Sequence, residues 1–161
     1  MTADPSTAAE ESQRRAADPA TSIWVAASAG TGKTKVLTDR VLSLLLAGPP
    51  PQKILCLTFT KAAAAEMATR IADRLGGWAT ASENKLSHAI HEILGRKADG
   101  PTIERARRLF ADVLDTPGGL GIQTIHAFCQ SLLRRFPLES GIAPHFTVMD
   151  ERDAAEMLAG A

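Results

Sequence analysis

The sequence is short of aromatic residues and of cysteine. It has no tyrosine, and phenylalanine and tryptophan together make up 4% of its 161 residues. Its two cysteines, Cys56 and Cys129, are too few for the disulfide framework that stabilises small secreted domains. Each cysteine lies inside an apolar run, so we expect both to be buried thiols in a reducing compartment.

Long hydrophobic segments and an excess of one charge are also absent. No apolar stretch approaches the roughly 18 residues that a membrane-spanning helix needs, and the polar N-terminus lacks the hydrophobic segment of a signal peptide. Lys and Arg together number 18, and so do Asp and Glu. Any nucleic-acid surface must therefore be local. We expect a cytoplasmic protein without a membrane partner, of a length that suits one domain.

What the sequence does contain is a strand, a loop of small residues and a helix, in the order that binds a nucleoside triphosphate. Apolar residues between Ser22 and Ala26 predict the strand, and Gly32-Lys33-Thr34 ends the loop. Small residues let backbone N–H groups surround the phosphates. Lys33 adds a positive charge and Thr34 offers a hydroxyl to Mg²⁺, so we expect these two to be the catalytic residues of the loop. The first loop position is Ala27, where glycine is usual.

The rest of the chain predicts an α/β fold, because strand patterns alternate with helical ones. We expect a parallel sheet with helices on both faces and a ligand site beyond the carboxyl ends of the strands. The predicted helices cover residues 35–47, 61–75 (stopped by Gly76-Gly77), 86–94, 103–114 and 125–136, and the further strands cover residues 53–60, 120–124 and 146–149.

Two of the predicted strand ends carry residues suited to single-stranded DNA. Thr58, Phe59, Thr60 and Lys61 combine hydroxyls, an amine and a ring on which a base can stack, and the segment from Thr124 through His126 to Phe128 repeats the theme. The residues alone leave an alternative open. The phenylalanines could belong to the core, and Thr60 and Thr124 could be ordinary helix caps.

Three segments in this order resemble motifs I, Ia and Ib of the UvrD-like superfamily 1 DNA helicases: Ala-Ser-Ala-Gly-Thr-Gly-Lys-Thr, Leu-Thr-Phe-Thr-Lys-Ala-Ala-Ala-Ala-Glu-Met and Thr-Ile-His-Ala-Phe-Cys. Lys61-Ala62 stands where UvrD itself usually has Asn-Lys, which favours the AddA branch of helicase–nucleases. The long helical stretch before the third motif and Phe136-Pro137-Leu138-Glu139 after it favour the same branch. The resemblance extends from about Gln13 to Glu151.

The resemblance implies a P-loop NTPase (RecA-like) fold and part of a helicase motor domain. It places that domain at residues 12–151, after a disordered N-terminus at residues 1–11 and before the start of a truncated insertion at residues 152–161. ATP and Mg²⁺ are the implied cofactors, with Thr34 as the metal ligand. The implied nucleotide contacts are Gln13, Ala27, Ser28, Ala29, Gly30, Thr31, Gly32, Lys33, Thr34 and Arg40. The implied DNA contacts are Thr58, Phe59, Thr60, Lys61, Thr124 and His126.

Two of the nucleotide contacts depend on the resemblance alone. Gln13 stands where these helicases keep a glutamine that reads adenine, and a glutamine amide can pair with adenine N6 and N7 together. Arg40 lies one face along from the loop, near the nucleotide. The alternative to a nucleotide contact is that Arg40 is an ordinary arginine on the surface of its helix.

The implied function is ATP-driven 3′-to-5′ unwinding of DNA in double-strand break repair. The implied partners are single- and double-stranded DNA and an AddB-like subunit. The sequence lacks an Asp-Glu-x-Gln-Asp motif, a second motor domain and a nuclease domain. We therefore expect an N-terminal fragment that is inactive alone, in which Asp150 and Glu151 do not hold the metal. The alternatives are a P-loop switch or kinase module without DNA binding, and a non-catalytic DNA- or partner-binding piece.

Overall fold

Helices dominate the fold of this chain. The computed structural model describes residues 5–26, 28, 30, 32–143, 145–149 and 156–157. In chain order the elements are α1 (Pro5–Ala17), α2 (Lys33–Ala47), a short 3-10 turn (Pro51–Lys53), β1 (Leu55–Thr58), α3 (Lys61–Thr80), α4 (Glu83–Leu94), α5 (Gly100–Leu114), β2 (Gly121–Thr124), α6 (Ile125–Arg135) and α7 (Pro137–Ser140).

The two strands form a parallel sheet, as the alternating pattern predicted. They pair in a continuous register from Leu55 opposite Gly121 to Thr58 opposite Thr124. Helices α3, α4 and α5 connect the strands, and this long crossover is what a parallel pair requires. A side chain at Gly121 would place its Cβ 2.8 Å from the backbone oxygen of Ile54, so the close approach of the two strands depends on glycine there.

The core lies between α2, α3, α4 and α5. Residues at helical spacing point into it from each of these four helices, and burial of their apolar surface is the main stabilising contribution. The side chains with essentially no exposure are Leu42, Leu45, Ile71, Leu75, Leu86 and Ile90. Cys56 and Ile122 pack against this cluster from the sheet.

Helices α3 and α6 both contact the two strands, and the two faces of the sheet are covered unequally in the described part of the chain. Helix α3 packs on β1 and β2. On the strand face opposite Cys56, Leu55 and Leu57 remain 48% and 44% exposed. Helix α6 follows β2 but buries none of its residues.

Two predicted strands do not form within the described residues. Residues 22–26 and 146–149 have no strand structure, and Trp24 in the first of them is 93% exposed. A strand needs a neighbour for its backbone N–H and C=O groups, and the sheet described here contains only β1 and β2. Apolar, β-branched composition was therefore not sufficient at these two places.

The N-terminal segment differs from its expected disorder. Residues 5–11 belong to α1, so this helix begins before the domain boundary that is expected at residue 11. The last turn of α1 packs on α2 through Ala16 and Ala17, which are 8% and 2% exposed. Arg14 and Arg15 lie in this last turn, where positive charge suits the helix dipole.

Helix α3 continues to Thr80, beyond the stop predicted at Gly76-Gly77. Each glycine inside a helix lowers the stability of the helix by about 1 kcal/mol relative to alanine. The continued helix, however, places Trp78 in the core, where it is almost completely buried. The backbone at Gly76 lies against α5, since a Cβ there would be at an ordinary contact distance of 3.7 Å from the ring of Phe110. Close packing of α3 on α5 thus outweighs the intrinsic propensity.

The cysteines also differ from expectation. Cys56 is partly buried, and this burial raises the pKa of its thiol, whereas Cys129 on α6 is exposed.

None of the described helices combines the length and the apolar composition needed to cross a membrane.

Candidate nucleotide and DNA site

The glycine-rich loop at residues 27–32 precedes α2, and its described residues are Ser28, Gly30 and Gly32. Gly30 and Gly32 have φ values of 80° and 86°, a left-handed conformation that favours glycine. The ammonium of Lys33 donates a hydrogen bond of 2.6 Å to the backbone oxygen of Ser28. The predicted contacts Ala27, Ala29 and Thr31 lie outside the described residues.

The start of α2 presents backbone donors next to this loop. Gly32 is its N-cap, and no described side chain caps the helix there. The first N–H groups of a helix have no partner within the helix and favour an anion. Lys33 is exposed and Thr34 half-buried on this first turn, so an amine and a hydroxyl accompany the backbone donors.

Gln13 lies beside the end of the loop, although it comes from a different helix. Its Nε2 is 3.5 Å from the position that a Cβ would take at Gly32, and its Oε1 accepts a 3.4 Å hydrogen bond from the ammonium of Lys35. Gln13 and Lys35 also line a cleft of about 570 Å³ between α1, α2, α3 and α4. The structure therefore brings the predicted adenine-reading residue to the glycine-rich loop.

Three charged residues of this cleft were not singled out from the sequence. Lys35 donates to Asp39 Oδ2 at 2.9 Å, and Arg74 of α3 lies 3.6 Å from Asp39 Oδ1. Asp39 is only 7% exposed, so its two cationic neighbours offset the cost of burying its carboxylate. The four-residue spacing of Lys35 and Asp39 was a detectable signal for their pairing, whereas Arg74 comes from a distant element.

Arg40 points at backbone rather than at solvent. One guanidinium nitrogen donates to the backbone oxygens of Ala16 and Asp18 at 3.1 and 2.7 Å, and the other donates to that of Thr21 at 2.6 Å. Arg40 is thus a half-buried surface arginine of α2 whose guanidinium contacts backbone carbonyls. A contact of Arg40 with the nucleotide stays a prediction.

The two predicted DNA junctions lie side by side. Thr58 ends β1 and Thr124 ends β2, and they are register partners. Thr60 Oγ1 accepts from the Ala63 amide and Thr124 Oγ1 accepts from the Ala127 amide, both at 3.1 Å. The helix-cap interpretation of Thr60 and Thr124 is thus confirmed, and the capped helices α3 and α6 both begin at this edge.

The remaining side chains at this edge face solvent. Phe59 is 85% exposed, which excludes it from the core. Lys61 and His126 are also exposed, and Thr58 Oγ1 donates to the backbone oxygen of Thr60 at 3.0 Å. An aromatic ring, an amine and two helix N-termini therefore share one surface.

The chain matches a known protein family over most of its length. Residues 9–161 match the model of the UvrD/REP helicase N-terminal domain. The chain belongs to this UvrD/REP helicase family. The matched range includes the glycine-rich loop and the junctions after β1 and β2.

Relatives of this UvrD/REP helicase domain are named as the A subunit of an ATP-dependent helicase/nuclease. The protein of that name from Lactobacillus johnsonii is 38% identical over 84% of the chain, and that from Lactobacillus gasseri is 38% identical over 88%. The protein from Pelotomaculum thermopropionicum is 36% identical over 86%. The chain spans about 10% of the length of each of these relatives.

Asp150 and Glu151 lie outside the described residues.

Proposed function

We propose that this chain is the ATP-binding part of an ATP-dependent DNA helicase motor with a P-loop NTPase (RecA-like) fold. The observation that carries the proposal is the convergence of Gln13, the left-handed Gly32 and Lys33 at the start of α2. A base-reading amide, a flexible backbone turn and a phosphate-binding amine are the three elements that an ATP site requires.

The residues present fit ATP and Mg²⁺. The Ser28 carbonyl accepts a hydrogen bond from the ammonium of Lys33. A phosphate oxygen is a stronger acceptor for this ammonium than a backbone carbonyl. The uncapped N–H groups of α2 would hold the phosphates, and the Thr34 hydroxyl would hold the magnesium ion. Bound Mg²⁺ supplies positive charge to the transferring phosphoryl group. Gln13 would select adenine by pairing with N6 and N7.

Single-stranded DNA is the proposed second ligand, bound at the carboxyl ends of β1 and β2. The exposed ring of Phe59 offers a stacking surface, and the N-termini of α3 and α6 and the amine of Lys61 suit phosphates. Thr58, Thr60, Thr124 and His126 line the same surface. A P-loop switch or kinase that never touches DNA would have no use for a solvent-facing phenylalanine at this edge, so the helicase function is favoured.

The wider proposal follows the family. The relatives are named as helicase/nuclease subunits, and we infer that the protein unwinds DNA 3′ to 5′ in the repair of double-strand breaks, in the cytoplasm and with an AddB-like subunit. Residues 12–151 would be the motor portion, residues 152–161 would begin an insertion, and Asp150 and Glu151 would not contact the metal. ATP hydrolysis would need a carboxylate pair from elsewhere in the protein, so the 161 residues alone would be inactive.

The decisive experiment is ATP titration of the full-length protein with Lys33→Ala beside Lys53→Ala. Hydrogen bonds to charged groups are worth about 1.5–3 kcal/mol, so Lys33→Ala should weaken ATP binding roughly 10- to 100-fold. Lys53 is an exposed lysine in the 3-10 turn and serves as the matched control. Equal ATP affinity of the Lys33→Ala variant and the parent would reject the proposed site.

A further inference from the structure

One side chain of α2 holds the end of α1 and the segment that follows it. The guanidinium of Arg40 donates to Ala16 O, to Asp18 O and to Thr21 O, at distances of 3.1, 2.7 and 2.6 Å. These three carbonyls belong to the last turn of α1 and to the lead-in toward the glycine-rich loop.

The chemistry of the contact suits arginine. Carbonyls at the C-terminus of a helix lack partners within it and attract positive charge, and the planar guanidinium can serve several acceptors in fixed directions at once. The segment after α1 has its own turn, in which the Ala20 amide donates to Asp18 Oδ1 at 2.9 Å. Arg40 therefore binds a preformed arrangement of carbonyls.

Apolar packing does little to fix α1 in place. The buried apolar side chains that the described part of α1 contributes are those of Ala16 and Ala17, and alanine buries little surface. Polar contacts with α2 must then determine how α1 is positioned. Arg40 supplies one of them through Ala16 O and holds the segment just after α1 through Asp18 O and Thr21 O. The Lys35 contact with Gln13 supplies another at 3.4 Å.

Gln13 lies one turn before Ala16 and Ala17 on the same helix. A displacement of the end of α1 would move Gln13 away from Gly32, where its Nε2 now lies within 3.5 Å of the Cβ position. A bidentate contact with a base tolerates little displacement. The placement of Gln13 is thus coupled to the contacts of Arg40.

We propose that Arg40 is a positioning residue for base selection: it holds α1 so that Gln13 can read adenine, and it does not itself contact the nucleotide. The inference rests on the proposed function, in which Gln13 recognises ATP. It assigns to Arg40 a role distinct from the direct nucleotide contact that the family resemblance implies.

The test is the ratio of ATP to GTP affinity in the full-length protein, for the parent, Gln13→Ala, Arg40→Gln, Arg40→Lys and the double variant Gln13→Ala/Arg40→Gln. Guanine presents O6, an acceptor, where adenine presents an N6 donor, so the ratio reports the pairing with Gln13. Gln13→Ala and Arg40→Gln should each lower the preference for ATP about 10-fold, and the double variant should lower it no further. GTP affinity should stay within about twofold.

Arg40→Lys retains the positive charge but lacks the planar guanidinium, so it should lose part of the preference for ATP over GTP. It serves as a second variant if Arg40→Gln folds poorly. The ratio of two affinities is independent of the folded fraction. Arg70→Gln is the matched control, because Arg70 is an exposed helical arginine that pairs only with Glu66 among the described residues. It should keep the parental ratio.

Equal losses of ATP and GTP affinity in the Arg40 variants would overturn the inference, because they indicate a direct contact with phosphate or ribose. Unchanged affinities for both ATP and GTP in these variants would overturn it too. Both results leave the proposed function intact as long as Gln13→Ala lowers the ratio. If Gln13→Ala keeps the parental ratio, adenine reading by Gln13 is itself wrong, and the inference fails with it.

Discussion

Thr58 and Thr124 are direct partners across the two parallel strands, each at the last position of its strand. Residues far apart in the sequence therefore meet at one edge of the sheet. The helices that follow the two strands both begin there, with Thr60 and Thr124 as their caps. This pairing brings the junctions after β1 and β2 together on a single surface, on which Phe59 is 85% exposed.

Phe59→Ala should weaken the binding of single-stranded DNA to the full-length protein by about 1–3 kcal/mol, the usual contribution of a stacked base. The ring is 85% exposed, so the melting temperature should not change. A DNA titration beside a thermal melt measures both quantities. Leu138→Ala is the matched control, because Leu138 is 90% exposed and lies outside the two junctions.

The result for Phe59 has two informative alternatives. Loss of stability with unchanged DNA affinity would mean that the ring is buried in the protein as it exists. Unchanged stability and unchanged affinity would mean that DNA is bound elsewhere. The salt dependence of binding tests the phosphate contacts separately, since each one lost reduces the slope by about one.

Arg105→Ala should destabilise the fold by about 1.5–3 kcal/mol, because charged hydrogen bonds contribute in this range. Arg105 of α5 donates to Leu45 O at 3.0 Å and to Gly48 O at 2.9 Å, where α2 ends. Urea denaturation provides the measurement. Arg108→Ala on the exposed side of α5 should change the stability by less than about 0.5 kcal/mol, and equal effects of the two substitutions would contradict the capping role.

The two tryptophans should differ in their accessibility to acrylamide. Trp78 is 3% exposed in the core and Trp24 is 93% exposed. In a Trp78→Phe variant the remaining emission should lie at long wavelength and be strongly quenched, whereas in Trp24→Phe it should be blue-shifted and shielded. Strong shielding of Trp24 would show that residues 22–26 are covered, as the strand prediction for them requires.

The two thiols should react at different rates with iodoacetamide. Burial raises the pKa of the Cys56 thiol, so it holds less of the reactive thiolate at a given pH than an ordinary cysteine. Cys129 is exposed and should be alkylated first near pH 8. As the pH rises, thiolate forms at Cys56 later than at an ordinary cysteine, so the alkylation rate of Cys56 should still be rising where that of an ordinary thiol has levelled off. Mass spectrometry of single-cysteine variants follows each rate, and faster labelling of Cys56 would contradict the structure.

Local patterns in the sequence were sufficient to predict most helices and the two strands that pair. The helical spacing of apolar residues and the Gly48 stop predicted α2, and similar spacing predicted α4 and α5. Thr60 and Thr124 were recognisable as caps because a cap needs only a hydroxyl and the next turn of its own helix. Such features depend on neighbours within a few residues, and the sequence contains all of those neighbours.

Tertiary structure decided the features that depend on distant partners. Helix α3 passes through Gly76-Gly77 because Trp78 and Phe110 pack there, and no local signal contains that gain. Arg40 contacts carbonyls of another helix, which its own spacing on α2 could not indicate. Residues 22–26 have strand composition without a strand partner in the described sheet. Backbone pairing and side-chain packing are completed only by residues remote in sequence, and the three-dimensional arrangement alone specifies which residues those are.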